Sequence, residues 1–124
     1  MVDKEKLYET LGELLYVVAM ADGVIQKEEK EALNKLFENH TWASEIIWSF
    51  EYEEAKHSSV EEVYNKVINV CHAHGPAAEY TEFVSAMKII ADAADGIDEN
   101  EQKVIRSFST DLIERFQRDL DRFN

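Results

Sequence analysis

The sequence predicts an all-α protein, a single helical bundle of about seven helices that contains two related helix–loop–helix hairpins. Apolar residues recur at three- and four-residue spacing through most of the chain, which is typical of amphipathic helices. A many-stranded β fold needs many tight turns, which glycine and proline usually form, and this chain of 124 residues has only one proline and four glycines. Because 45% of the residues are hydrophobic, the chain can form one core, and we expect one domain over residues 1–124.

The first half of the chain predicts three helices, over residues 4–21, 27–38 and 42–56. Asp3 is the candidate N-cap of the first helix, because a carboxylate there can accept hydrogen bonds from free backbone N–H groups. Asp22–Gly23 ends that helix, since glycine readily adopts the left-handed conformation common after a helix C-terminus.

The second half predicts a helix over 59–73, opened by a capping box between Ser58 and Glu61. Gly75–Pro76 ends it and starts the next helix, which runs through residue 94, with the proline in a tolerated first-turn position. A further helix covers 99–108. Ser109–Thr110 then offers a new cap, so the remaining residues to 123 form either a seventh helix or a continuation.

The charge of the chain excludes several classes of function. There are 26 acidic and 13 basic residues, which give a formal net charge of −13. A nucleic-acid partner is excluded, since phosphate contacts require Lys and Arg, and docking on an anionic membrane is disfavoured for the same reason. No apolar run approaches the ~20 residues of a membrane span, so direct membrane insertion is not expected. The single cysteine and the acidic N-terminus without an apolar segment favour a cytoplasmic protein.

An internal repeat is the most informative feature of the sequence. When Asp22–Gly23 is aligned with Asp95–Gly96, 73 residues later, the apolar positions of the preceding helices match in phase. The second turn is one residue shorter than the first, and with a one-residue gap placed in it Glu29 also aligns with Glu101. Each hairpin therefore places one acid at the end of a helix and another in the first turn of the next helix.

Two interpretations of these repeated acids remain open. In the first, they are helix caps: Glu29 and Glu101 occupy the third helical position, and Asp98 with Glu101 fits the capping-box pattern. In the second, the hairpins pack face to face, and the converging carboxylates bind a divalent cation such as Ca²⁺, Mg²⁺ or Mn²⁺. Asp92 favours the second, because its counterpart in the first hairpin is Ala19, so the turn does not require an acid there.

An EF-hand is excluded as the form of such a site. The first loop matches that motif at Asp22, Gly23 and Glu29, but Val18 and Met20 would occupy the first two ligand positions. The second loop is one residue too short for its glutamate to reach the last ligand position.

The repeated Ala-Asp-Gly-x-Ile-x-x-x-Glu pattern, on hairpins some 70 residues apart in an acidic helical chain, resembles the TerB-like family. The resemblance covers residues 7–37 and 80–108. It implies a compact bundle with internal pseudo-two-fold organisation, an acidic site that binds divalent metal, and a role as a cytoplasmic adaptor in stress or membrane-associated complexes. By position, that site would include Asp22, Glu29, Asp95 and Glu101. Asp92 and Asp98 are additional candidates from this sequence.

Two other groups of residues are candidate sites. Cys71, His72 and His74 could bind zinc, but a fourth ligand at suitable spacing is absent, and a core cysteine beside helix-terminal histidines is the plainer interpretation. Four aromatic residues fall within eleven positions: Trp42, Trp48, Phe50 and Tyr52. A wide buried face is the favoured interpretation, and exposure of one aromatic as a partner contact is the alternative.

We therefore expect a non-enzymatic TerB-like helical adaptor that acts in a tellurite-resistance or stress-response setting, with a protein partner and a divalent cation. The alternatives are a metal-free helical protein–protein interaction module and a metal-dependent hydrolase. The hydrolase is disfavoured because the sequence contains no phosphate loop, nucleophile elbow or Ser/His/Asp arrangement. The sequence leaves the partner and the oligomeric state open.

Overall fold

The computed structural model describes residues 4–93 and 96–123, with side chains through Leu112 and at Arg118. Within those residues the chain forms helices without a β-strand, which confirms the all-α prediction. The helices are α1 (Lys4–Ala19), α2 (Lys27–Phe37), α3 (Ala43–Lys56), α4 (Val60–His74), α5 (Glu79–Asp92) and α6 (Glu99–Phe123). The predicted N-cap Asp3 lies outside the described residues.

The structure decides one helix boundary that the sequence left open and changes two that it predicted. Residues 99–123 form one continuous helix, so Ser109–Thr110 does not begin a seventh. The prediction that Pro76 opens α5 was wrong: Gly75 has φ +91°, the chain turns through Pro76 and Ala77, and α5 begins at Glu79. The N-cap of α4 is Ser59, whose hydroxyl accepts from the Glu62 N–H, and not Ser58.

Helix α1 lies at the centre of the bundle. It packs against α3, α4, α5 and α6. From Thr10 to Ala19 every residue is buried, although the sequence pattern predicts only one apolar face. Neighbouring helices on several sides bury the positions that a surface helix would expose to water.

The two repeated hairpins pack across each other. The first consists of α1 and α2, the second of α5 and α6. Helix α2 packs against α5, while α6 packs against α1 and α5. Gly23 and Gly96 have φ values of +92° and +84°, the left-handed conformation that the sequence predicts for both turns. This cross-packing brings the N-terminal turns of α2 and α6 to the same region of the bundle.

Gly12 allows a close approach between α1 and α3. A Cβ atom at this position would overlap the Ile46 carbonyl oxygen and would lie 2.9 Å from the Ser49 Cβ. Because the obstacle includes helix backbone, it cannot be relieved by rotation of a side chain. Only glycine therefore fits at this helix crossing.

Among the described residues, none of the helices combines the length and the apolar character that a membrane span requires.

Candidate metal centre

Glu29 and Glu101 occupy equivalent positions at the starts of α2 and α6. The Glu29 Oε1 accepts a hydrogen bond of 2.8 Å from the Gln26 N–H. The Glu101 Oε1 likewise accepts from the Asp98 N–H at 3.1 Å, and the Glu101 N–H donates to the Asp98 Oδ1 at 2.7 Å. Both glutamates therefore cap their own helices, as the pattern predicts.

The two carboxyl groups also meet each other. Glu29 is 2% exposed and Glu101 is 4% exposed, and their carboxyl groups lie close enough for a hydrogen bond between them to affect the pKa of each. A hydrogen bond between two carboxyl groups requires a proton on one of them. No ion pair in the described part of the chain involves either residue. The pair is therefore a buried, uncompensated acidic contact between the two hairpins.

Burial is the main reason why the pair holds a proton. It raises the pKa of Glu29 to about 8, against the lowering effect of the Gln26 N–H, and the nearby carboxylates of Glu101 and Asp22 raise it further. Burial also raises the pKa of Glu101, and the charges of Asp98 and Asp22 add to that rise. The groups are close enough to titrate as a pair. These raised pKa values favour one shared proton over two charged carboxylates in the pair.

The other predicted ligands surround this pair unevenly. Asp22 is exposed, its Oδ1 accepts from the Val24 N–H at 3.3 Å, and its charge acts on both glutamates. Asp98 is held against Glu101 as its cap. Asp92 is exposed at the last position of α5. Asp95 lies outside the described residues.

Within residues 4–93 and 96–123, no three His, Cys, Asp or Glu side chains form a group that could hold a metal ion. The structure thus brings Glu29 and Glu101 together, with Asp22 acting on both through its charge, and does not assemble Asp92 and Asp98 with them into such a group.

The family comparison agrees with the repeated hairpins. The family model described as tellurite resistance protein TerB matches residues 9–122. The chain belongs to the TerB family. Searches of curated proteins and of solved structures gave no significant match. Family membership for this chain thus rests on a match that covers nearly its whole length, including both acidic hairpins.

The zinc alternative finds little geometric support in this TerB-family chain. The Cys71 side chain is completely buried in the core, and burial raises the pKa of its thiol to about 12, away from the thiolate form that binds zinc. His72 is exposed on the same helix. In the described part of the chain these residues do not form a metal-binding group.

An ionic cluster that contains two buried glutamates was not predicted from the sequence. The Lys66 ammonium lies 3.1 Å from the Glu13 Oε2 and 3.5 Å from the Glu53 Oε1, and so joins α4 to α1 and α3. Glu13 and Glu53 are 7% and 2% exposed. A glutamate at position 13 interrupts a strongly apolar run in α1, which is the one signal that could have indicated a buried charge.

The aromatic residues of α3, together with Trp42 just before it, divide between core and surface. Phe50 is fully buried and Trp42 is half-buried, stacked on Tyr8. Trp48 and Tyr52 are 62% and 46% exposed. The interpretation of a wide buried face was therefore wrong for these two, because no neighbouring helix covers that side of α3 in the described residues.

Proposed function

We propose that this TerB-family chain is a non-enzymatic adaptor in a tellurite-resistance or stress-response setting, and that a hard divalent cation joins its two hairpins at Glu29 and Glu101. The observation that carries the proposal is the direct contact of two buried carboxyl groups, one from each hairpin, with no described basic side chain to neutralise them. Such a contact requires a proton or a cation.

The donor set fits a hard cation. Carboxylate oxygens are the ligands that Ca²⁺, Mg²⁺ and Mn²⁺ prefer. Asp22, in the exposed turn of the first hairpin, adds a third negative charge that acts on both glutamates and attracts a cation toward them. Water would supply the remaining ligands. Because both glutamates must be ionised to bind a cation, its arrival releases the shared proton.

Burial of the pair supports a structural ion rather than a catalytic one. At 2% and 4% exposure, the two glutamates offer almost no surface on which a substrate could bind. A cation held there would stabilise the cross-packing of the hairpins, and would thereby favour the folded form that a protein partner recognises.

The test is a thermal melt of chelator-treated protein with added Ca²⁺, Mg²⁺, Mn²⁺ or, as a soft-metal comparison, Zn²⁺. A cation that binds only the folded form raises the melting midpoint by mass action. We expect a rise in the parent chain and none in the double variant E29Q/E101Q. The matched control is E28Q/E99Q, which removes two exposed acids from the same first turns and should keep the response. Proton release on cation addition, measured in a weakly buffered solution, should disappear in E29Q/E101Q only.

A metal-free interaction module is the second candidate. It is favoured by the capping boxes, which account for both glutamates, and by the lack of a three-ligand group in the described residues. No midpoint rise with any hard cation would establish this candidate over the first. A rise with Zn²⁺ alone would direct attention to Cys71, His72 and His74.

A further inference from the structure

Helix α3 carries an exposed aromatic column. Trp48 and Tyr52 lie one turn apart, with ring centroids separated by 5.2 Å and ring planes inclined by 19°. One turn further on, the Lys56 ammonium lies 4.9 Å from the centroid of the Tyr52 ring. These two aromatic side chains are among the most exposed large hydrophobic residues of the described chain. Exposed aromatic surface of this kind is typical of protein contact sites.

An acidic hollow adjoins this column. It has a volume of about 370 Å³ and is lined by Glu5 and Glu9 from α1 and by Ser44, Glu45 and Trp48 from α3. None of the ion pairs in the described part of the chain uses these three glutamates. Three glutamates therefore line one hollow with an exposed indole, and no described basic side chain forms an ion pair with them.

The chemistry of this surface selects a cationic organic group. Neighbouring like charges destabilise one another, and a cation between them relieves the repulsion. The face of an indole is the most favourable aromatic surface for an ammonium or guanidinium group, and Lys56 over Tyr52 already shows that contact within this chain. A hard metal ion prefers oxygen ligands and would make little use of the indole. A lysine or arginine side chain uses both features.

We propose that the Trp48–Tyr52 column and the hollow beside it form a docking surface for a basic segment of a partner protein. The segment places an arginine or lysine side chain against Trp48, where the carboxylates of Glu5, Glu9 and Glu45 surround it. The net charge of −13 attracts such a segment over a longer range and accelerates its approach.

This surface is remote from the paired glutamates and goes beyond the proposed cation site. Glu5 and Glu9 lie in the first two turns of α1, whereas Asp22 follows its last turn. At 1.5 Å per helical residue, Glu9 lies roughly 15 Å along the helix from Ala19, the last residue of α1 before the turn that contains Asp22. Partner binding can therefore be measured in chelator, and its result does not depend on whether a cation binds.

The experiment measures binding of a fluorescently labelled short peptide that alternates arginine with alanine, by anisotropy at low salt. We expect the parent chain to bind it and to ignore a peptide that alternates glutamate with alanine. W48A should weaken binding about tenfold. Its melting midpoint should stay close to that of the parent chain, because Trp48 is mostly exposed.

A matched pair of charge variants separates the hollow from diffuse attraction. E5Q/E9Q/E45Q should weaken binding about tenfold, while E28Q/E31Q/E61Q, which removes the same charge from exposed positions outside the hollow, should weaken it by less than about twofold. Equal weakening by the two triple variants would overturn the proposal, as would undiminished binding by W48A. Trp48-dependent self-association in sedimentation would also overturn it, because a second copy of the chain would then be the occupant.

Discussion

Replacing Glu29 by glutamine should remove much of the pH dependence of folding stability in chelator-treated protein. The glutamine amide can donate the hydrogen bond to Glu101 that a protonated Glu29 provides, and its carbonyl oxygen can still accept from the Gln26 N–H. E29Q therefore imitates the protonated pair at every pH. In the parent chain, the same contact is lost once the shared proton leaves.

The sign of the effect follows from the raised pKa. Glu29 has a pKa near 4.5 in the unfolded chain and about 8 in the folded one, so the folded state binds the proton more tightly. The stabilisation is fully present below about pH 4.5 and is lost as the pH rises toward 8. A tenfold difference in proton affinity between the two states corresponds to about 1.4 kcal/mol of stability. Because Glu101 shares the proton, we expect the parent chain to lose about 2 to 4 kcal/mol relative to E29Q across this interval.

The assay is urea unfolding of both chains at a series of pH values from about 5 to 9, with chelator present throughout. The two chains should have similar stability at the acidic end, and E29Q should be the more stable at the alkaline end. E28Q, which alters an exposed acid in the same turn, should follow the parent chain. Parallel curves for the parent and E29Q would refute the reasoning, since they would show that the pair does not hold the proton.

Three further predictions concern the fold. G12A should destabilise the chain by about 1 to 3 kcal/mol in urea unfolding, because the overlap of the new Cβ with the α3 backbone outweighs the gain in helix propensity. An unchanged unfolding midpoint would contradict the close approach of α1 to α3. K66M should cost about 1 to 3 kcal/mol near neutral pH by leaving Glu13 and Glu53 without their cation, and the loss should shrink under acid because burial raises the pKa of Glu13. Y80F should lower stability by about 1 to 2 kcal/mol, because the tyrosine hydroxyl donates to two carbonyl oxygens at the end of α4; equal stability would show that water replaces those bonds.

Local patterns in the sequence were sufficient to predict the helices. Apolar periodicity predicted α1 to α4 with boundaries within two residues of the structure. The two Asp-Gly turns were also predicted, since their left-handed glycines depend on local backbone geometry. Pro76 was assigned wrongly because its local preference for a first helical turn was overridden by the bend at Gly75, which the Tyr80 hydroxyl holds by bonding to two carbonyls.

Contacts between distant elements were harder to predict. The repeat indicated that Glu29 and Glu101 would converge, and the structure brings them into direct contact. The Glu13–Lys66 ion pair joins residues that no local pattern relates. The exposure of Trp48 likewise depends on which helices cover α3, and that is set by packing rather than by the α3 sequence itself.

The repeat itself explains why an acidic contact lies inside this bundle. When two similar hairpins pack about a pseudo-two-fold axis, a residue near the axis meets its own counterpart, so a capping glutamate must face a capping glutamate. Each helix is capped best by a charged glutamate, but the packing places the two glutamates together, where their negative charges repel. One shared proton or one bound cation satisfies both requirements. The hairpins differ at the N-cap, where Gln26 is neutral and Asp98 is acidic, so the negative charge of Asp98 acts on Glu101 alone. This asymmetry makes the two sides of the contact chemically distinct, and E29Q and E101Q should therefore differ in their pH profiles although both remove one carboxylate from the same pair.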